Sequence, residues 1–214
     1  MARAISATIL DYVRGRILNF SLLPGVKISD EEIAKVFGTS RSPVREALNR
    51  LVEQGLAEYR PNRGFTVKVF SRKEVADHYV LREALECLAV RLATQSMERE
   101  KIESLEDLLA TYPAIMKSQD IARFNECDER FHDLIALYSN NTALHGALQN
   151  LHGKIRLIRR YDHLRAGSFQ NTFEEHKLIL KHMVRKDAEE AVKLMSYHIL
   201  KSMQLVMPAV PEDT

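Results

Sequence analysis

Residues 29–48 read SDEEIAKVFGTSRSPVREAL, and their pattern predicts two short helices joined by a tight turn. Ser29 with Glu32 forms a capping box, so a helix starts there and carries Ile33, Ala34 and Phe37 inward. Gly38 supplies the residue that a helix C-terminus needs. The second helix starts near Ser40, with Pro43 in its first turn, where a missing N–H costs little. Val44, Ala47, Leu48 and Leu51 recur at helical spacing and form its buried stripe. Arg41, Ser42 and Arg45 therefore face outward at a helix N-terminus, where free N–H groups and the helix dipole favour anions. Such a helix-turn-helix is suited to the major groove of double-stranded DNA. Arg41 and Arg45 are the candidates for guanine or phosphate contacts, and Ser40 and Ser42 for phosphate.

Outward from this stretch, Ile5, Ile9, Val13 and Ile17 repeat at helical spacing, and Leu23-Pro24-Gly25 is expected to end that segment. After the second helix, Gly55 stops the chain. Two strands are expected near 56–60 and 65–70, joined by Pro61-Asn62-Arg63-Gly64, with Phe65, Val67 and Val69 on one face. A hairpin tipped by Arg63-Gly64 is what a winged helix uses to reach a backbone or minor groove. Charge agrees: residues 1–70 hold 11 Lys/Arg against 7 Asp/Glu, and the remaining residues hold 20 against 22. The positive excess sits where phosphates would be met.

With 45% hydrophobic and 28% charged residues the chain has the composition of an ordinary folded protein, which excludes disordered and fibrous classes. Asp11, Arg14 and Arg16 interrupt the first apolar run, so a signal peptide is not expected, and no stretch approaches a membrane span. Cys87 and Cys127 stand 40 positions apart with no CxxC pattern, which fits a reduced, cytoplasmic setting.

From Ser71 onward the strand signals vanish. Six helices are expected, at roughly 73–96, 100–117, 120–138, 142–164, 173–185 and 188–206. Thr172 with Glu175 and Asp187 with Glu190 read as capping boxes for the last two, and the tail from Pro208 is expected to fray. The expected fold is mostly α: a winged helix-turn-helix domain over 1–70, then an all-helical bundle over 71–214.

Four residues of this second half have metal-ligand chemistry. Asp128 and His132 are four apart on one helical face, His176 opens a later helix, and His198 lies in the last. Each histidine sits among apolar neighbours and should face the bundle interior. Three imidazoles and a carboxylate converging there suit zinc, nickel or manganese, whereas each histidine alone reads as an ordinary core or surface residue. Glu129 competes with Asp128 for the carboxylate position.

Both halves together resemble the GntR family of bacterial transcription regulators, in its FadR-like branch with an all-helical (FCD) C-terminal domain. The resemblance covers about residues 5–206. It rests on Pro24-Gly25, on Ser40 to Leu48, on Leu81-Arg82-x-x-Leu85-Glu86, and on Asp128, Phe131-His132, Glu175-His176 and His198 in that order. The resemblance implies a homodimer on a short palindromic operator, a repressor's role, and a metal held by Asp128, His132, His176 and His198. Two departures stand out. Many relatives carry an arginine near the start of the first of these two helices, where this chain has Asp30-Glu31-Glu32, and six C-terminal helices rather than seven imply a shorter variant of the domain. The metal's open positions suit a small carboxylate effector, with Arg82 and Asn125 as its candidate contacts and Arg156, Arg159 and Arg160 as further cations. The alternative is a metal-dependent enzyme fused to a DNA-binding domain, because open positions are also what catalytic sites require.

Overall fold

A computed structural model of the chain describes residues 2–159 and 169–212. They divide into two compact units, one built mainly from residues up to Ser71 and the other mainly from Arg72 onward.

The first unit contains α1 (Ala2–Leu18), β1 (Lys27–Ile28), α2 (Asp30–Val36), α3 (Arg41–Glu53), β2 (Ala57–Arg60) and β3 (Gly64–Val67). Ile9, Val13 and Ile17 of α1 are buried against α3, whose Val44, Ala47, Leu48 and Leu51 are fully buried. The Ser29 side chain caps α2 by accepting the Glu32 N–H at 3.2 Å. Gly38 closes α2 with φ at +59°, which a side chain would resist. The three strands form a small sheet in the order β1-β3-β2, antiparallel throughout, with Ile28 opposite Phe65 and Arg60 opposite Gly64.

Three expectations for this unit need correction. α1 ends at Leu18, ahead of Leu23-Pro24-Gly25, because Phe20 takes a left-handed φ of 63° and turns the chain there. β1 was not foreseen, since two residues are too few to show alternation. β3 stops at Val67, so the apolar alternation breaks: Val69 is exposed and Phe70 is buried.

The second unit is helical among the described residues: α4 (Arg72–Gln95), α5 (Arg99–Ala110), α6 (Tyr112–Ser118), α7 (Ile121–Tyr138), α8 (Thr142–Arg159), α9 (Phe169–Val184) and α10 (Ala188–Val206). α10 lies along α4 and against α9, and α7 packs on α4, α5 and α6. Among the described residues seven α-helices rather than six are present, because the helix expected over 100–117 breaks at Thr111. Pro113 has no N–H to give Leu109 and its ring would clash there, so the chain restarts as α6. The helix count from which a shorter domain variant was expected therefore does not hold.

The capping box foreseen at Thr172 also fails. Phe169 is already helical and stacks on Phe124 at 4.0 Å, which places Thr172 inside α9. At Asp187 only the N-cap half of the box forms: Asp187 accepts the Glu190 N–H at 3.2 Å, while the Asp187 N–H bonds the His182 carbonyl and Glu190 pairs with Lys193. The tail does not fray at Pro208. Met207–Ala209 form a 3₁₀ turn, Val210 is buried, and its carbonyl accepts a 3.3 Å bond from Arg72 Nε at the start of α4. The end of the helix expected over 142–164, with Arg160 and His163, lies outside the described residues.

Candidate metal centre and nucleic-acid interface

α7, α9 and α10 each place their histidine on the apolar face that the helix buries. Asp128 and His132 come from α7, His176 from α9 and His198 from α10, and all four are buried. One ligand atom from each lies within 4.8 Å of all the others. Phe131 stacks on the His176 ring at 4.0 Å and walls that side with carbon. Glu129 is absent from the group, because one residue further along α7 turns the side chain by about 100°.

Each imidazole uses Nδ1 outside the cluster. His132 Nδ1 is 2.8 Å from Glu86 Oε2, His198 Nδ1 is 2.7 Å from Glu175 Oε2, and His176 Nδ1 is 3.2 Å from the Tyr112 hydroxyl. A carboxylate can only accept, so His132 and His198 donate from Nδ1 and keep a lone pair on Nε2. Asp128 divides its oxygens in the same way. Oδ2 accepts from Arg159 Nη1, while Oδ1 is 3.6 Å from His176 Nε2.

Asp128 Oδ1, His132 Nε2 and His176 Nε2 are buried without a hydrogen-bond partner. Leaving such atoms unpaired costs about 1–3 kcal/mol each, so three together are expensive. A cation between them would satisfy all three. Burial alone would raise the Asp128 carboxyl, but Arg159 and the three imidazoles outweigh it and hold the group far below the usual range. Burial pushes the His132 imidazole down to about 4 and His176 well down too. Asp128 is therefore ionised and His132 and His176 are neutral at pH 7, which is the ligating state of each.

The effector candidates sit at different depths. Arg82 is buried on α4 and its Nε donates to Glu86 Oε1 at 3.0 Å. Asn125 is half-buried on α7, one turn before Asp128. Arg159 is committed to Asp128, Arg156 is half-buried, and Arg160 lies outside the described residues.

In the first unit, Arg41, Ser42 and Arg45 are exposed on α3, with Ser40 just before it. Glu46 and Asn49 extend the same exposed face by another turn. Arg63 is exposed at the wing tip, beside Gly64 with φ at +79°. The acids that depart from the family pattern meet Arg41: its Nη2 is 2.8 Å from Glu31 and 3.8 Å from Asp30.

The family model described as bacterial regulatory proteins, gntR family, matches residues 5–67, and the FCD domain model matches residues 77–201. The second covers more than half of the chain. This chain belongs to the GntR family, with an FCD domain. It is 30% identical over 183 residues to the HTH-type transcriptional regulator YdhC of Bacillus subtilis, covering 85% of this chain and 82% of that protein. It is 26% identical over 197 residues to the HTH-type transcriptional repressor RspR of Escherichia coli, covering 91% and 86%. The fold matches E. coli McbR/YncC with a TM-score of 0.81 at 21% identity, over 94% of this chain and 96% of that one. This GntR-family protein is thus a DNA-binding transcriptional regulator, and the enzyme alternative gains no support from its relatives.

Reading the regulator's sequence alone did not find Glu86, Glu175, Tyr112 or Arg159 as partners of the cluster. One signal was available for Glu86. Val75, Tyr79, Arg82, Glu86, Ala89 and Ala93 share the buried stripe of α4, and an Arg–Glu pair on such a stripe needs a partner. Glu175 precedes His176 but serves His198 on the next helix, which spacing does not reveal.

Proposed function

We propose that this regulator is a homodimeric, cytoplasmic repressor whose hold on a palindromic operator is set by a small carboxylate bound beside a divalent transition metal. In this reading residues 1–70 carry the DNA contacts and residues 71–214 carry metal and effector. The observation that supports it best is the group Asp128, His132, His176 and His198, buried on three helices with three unpaired ligand atoms.

Three nitrogens and one carboxylate oxygen suit zinc, nickel or manganese. Asp128 would hold the ion through Oδ1, and the histidines through Nε2. The ion supplies Lewis-acidic positions that four protein ligands leave open to a carboxylate. Arg82 has its Nε on Glu86, so its terminal nitrogens are the ones to meet the effector, and Asn125 offers an amide one turn from Asp128. At the other end of the chain, Arg41 and Arg45 read bases or phosphate, Ser40 and Ser42 take phosphate, and Arg63-Gly64 reaches from the wing. A two-fold dimer matches a palindrome because each copy reads one half-site. The E. coli relative named a repressor supports the direction of control.

The test is a thermal-shift screen of small carboxylic acids on zinc-, nickel- or manganese-loaded protein. A true effector raises the melting temperature by mass action, and it then lowers operator affinity in fluorescence anisotropy. An acid series that shifts neither quantity in any metal-loaded form contradicts the reading.

A further inference from the structure

Glu86 is fully buried at the middle of α4 and touches three cationic or imidazole groups. Oε1 accepts from Arg82 Nε at 3.0 Å, Oε2 lies 2.8 Å from His132 Nδ1, and His152 Nε2 on α8 approaches Oε1 at 3.5 Å. The His132 ring is itself buried, with Nε2 turned into the ligand cluster and unpaired. Since a carboxylate offers no proton, it accepts from both Arg82 and His132 at once. One group therefore joins the arginine proposed for the effector to a ligand proposed for the metal.

We propose that Glu86 is a positioning residue: it fixes His132 with the proton on Nδ1 and the lone pair of Nε2 facing the cluster, and it holds Arg82 from its other oxygen. The inference rests on the metal-site reading, but its central claim concerns an imidazole that is present with or without metal. Geometry explains why the neighbouring Glu83 does not perform this task. Glu83, one turn earlier on α4, is half-buried and faces the Cys87 thiol at 3.7 Å instead.

Glu86→Gln preserves shape and removes one acceptor. The amide has a single oxygen for two donors. When that oxygen takes Arg82, the NH₂ group faces His132 Nδ1 and forces the proton onto Nε2, the ligating atom. Two readouts decide. Zinc titration of the full chain should show about 10–100-fold weaker binding in Glu86→Gln, with Glu83→Gln unchanged. Long-range ¹H–¹⁵N spectra of the metal-free protein should show His132 protonated at Nδ1 in wild type and shifted toward the Nε2 form in Glu86→Gln.

Zinc affinity equal to wild type overturns the proposal. So does weaker zinc binding with an unchanged His132 tautomer, because the carboxylate would then act through charge alone. If wild type binds no zinc, nickel or manganese, the metal reading fails, and the tautomer shift still decides the role of Glu86. If Glu86→Gln does not fold, the wild-type tautomer decides by itself, and an Nε2-protonated His132 overturns the proposal.

Discussion

His132, His176 and His198 each place Nδ1 on a neighbour outside the cluster, and for His132 and His198 that neighbour is a carboxylate, which sets the proton on Nδ1 from outside the cluster. The convergence of these three with Asp128 was legible in the sequence because an Asp–His pair four apart shares a face and each histidine interrupts an apolar run. Their supports were not, because Glu86–His132 and Glu175–His198 are pairs across helices that only convergence creates. His176→Ala or His198→Ala removes one ligand of four, and elemental analysis should find most of the metal gone from either variant. Acid should act on the same groups. An unfolded imidazole takes its proton near 6.5, whereas folded His132 does so only at about 4. Between those values the unfolded chain binds more protons, so stability falls as pH drops through that window. For His132 alone the loss is about 3 kcal/mol by pH 4. His176 is shifted in the same direction and adds to it. Thermal melts of the metal-free protein from pH 7 to pH 4 should show a declining midpoint, and a flat profile contradicts this account of the imidazoles.

At the scale of elements, α2 and α3 were legible to within a residue or two because caps, glycine and stripe all agree there. The sheet and the α5–α6 break were less so. β1 exists only through pairing with β3, and a single proline had to outweigh a continuous apolar pattern. Val210 is buried and its carbonyl accepts from Arg72, a contact across 138 positions that no local pattern encodes. α3 separates a buried stripe from an exposed face, which gives two distinguishable predictions. Leu48→Ala empties a fully buried position and should cost about 2–5 kcal/mol in chemical denaturation. Arg45→Ala should leave that stability unchanged and weaken operator binding by about 1–3 kcal/mol at fixed salt. If Arg45→Ala binds as tightly as wild type, the exposed face of α3 is not the one that reads DNA.

At the scale of the whole molecule, the positive charge of residues 1–70 and the ligand cluster of the later residues belong to one regulator, and control requires that they be coupled. α4 begins at Arg72, five residues after β3 ends at Val67, and carries Arg82 and Glu86. A ligand that biases α4 is therefore one short segment of chain from the wing. Coupling is reciprocal: an effector that weakens operator binding by a given factor must itself bind the operator complex more weakly by that factor, ordinarily about 5–150-fold. All of this depends on the cluster holding a metal, so metal content after refolding in equimolar zinc, nickel and manganese is the most direct measurement. The account predicts about one ion per wild-type chain at neutral pH and little in His176→Ala. Wild-type protein that returns from this treatment with no bound ion, or a His176→Ala variant that retains as much as wild type, contradicts it.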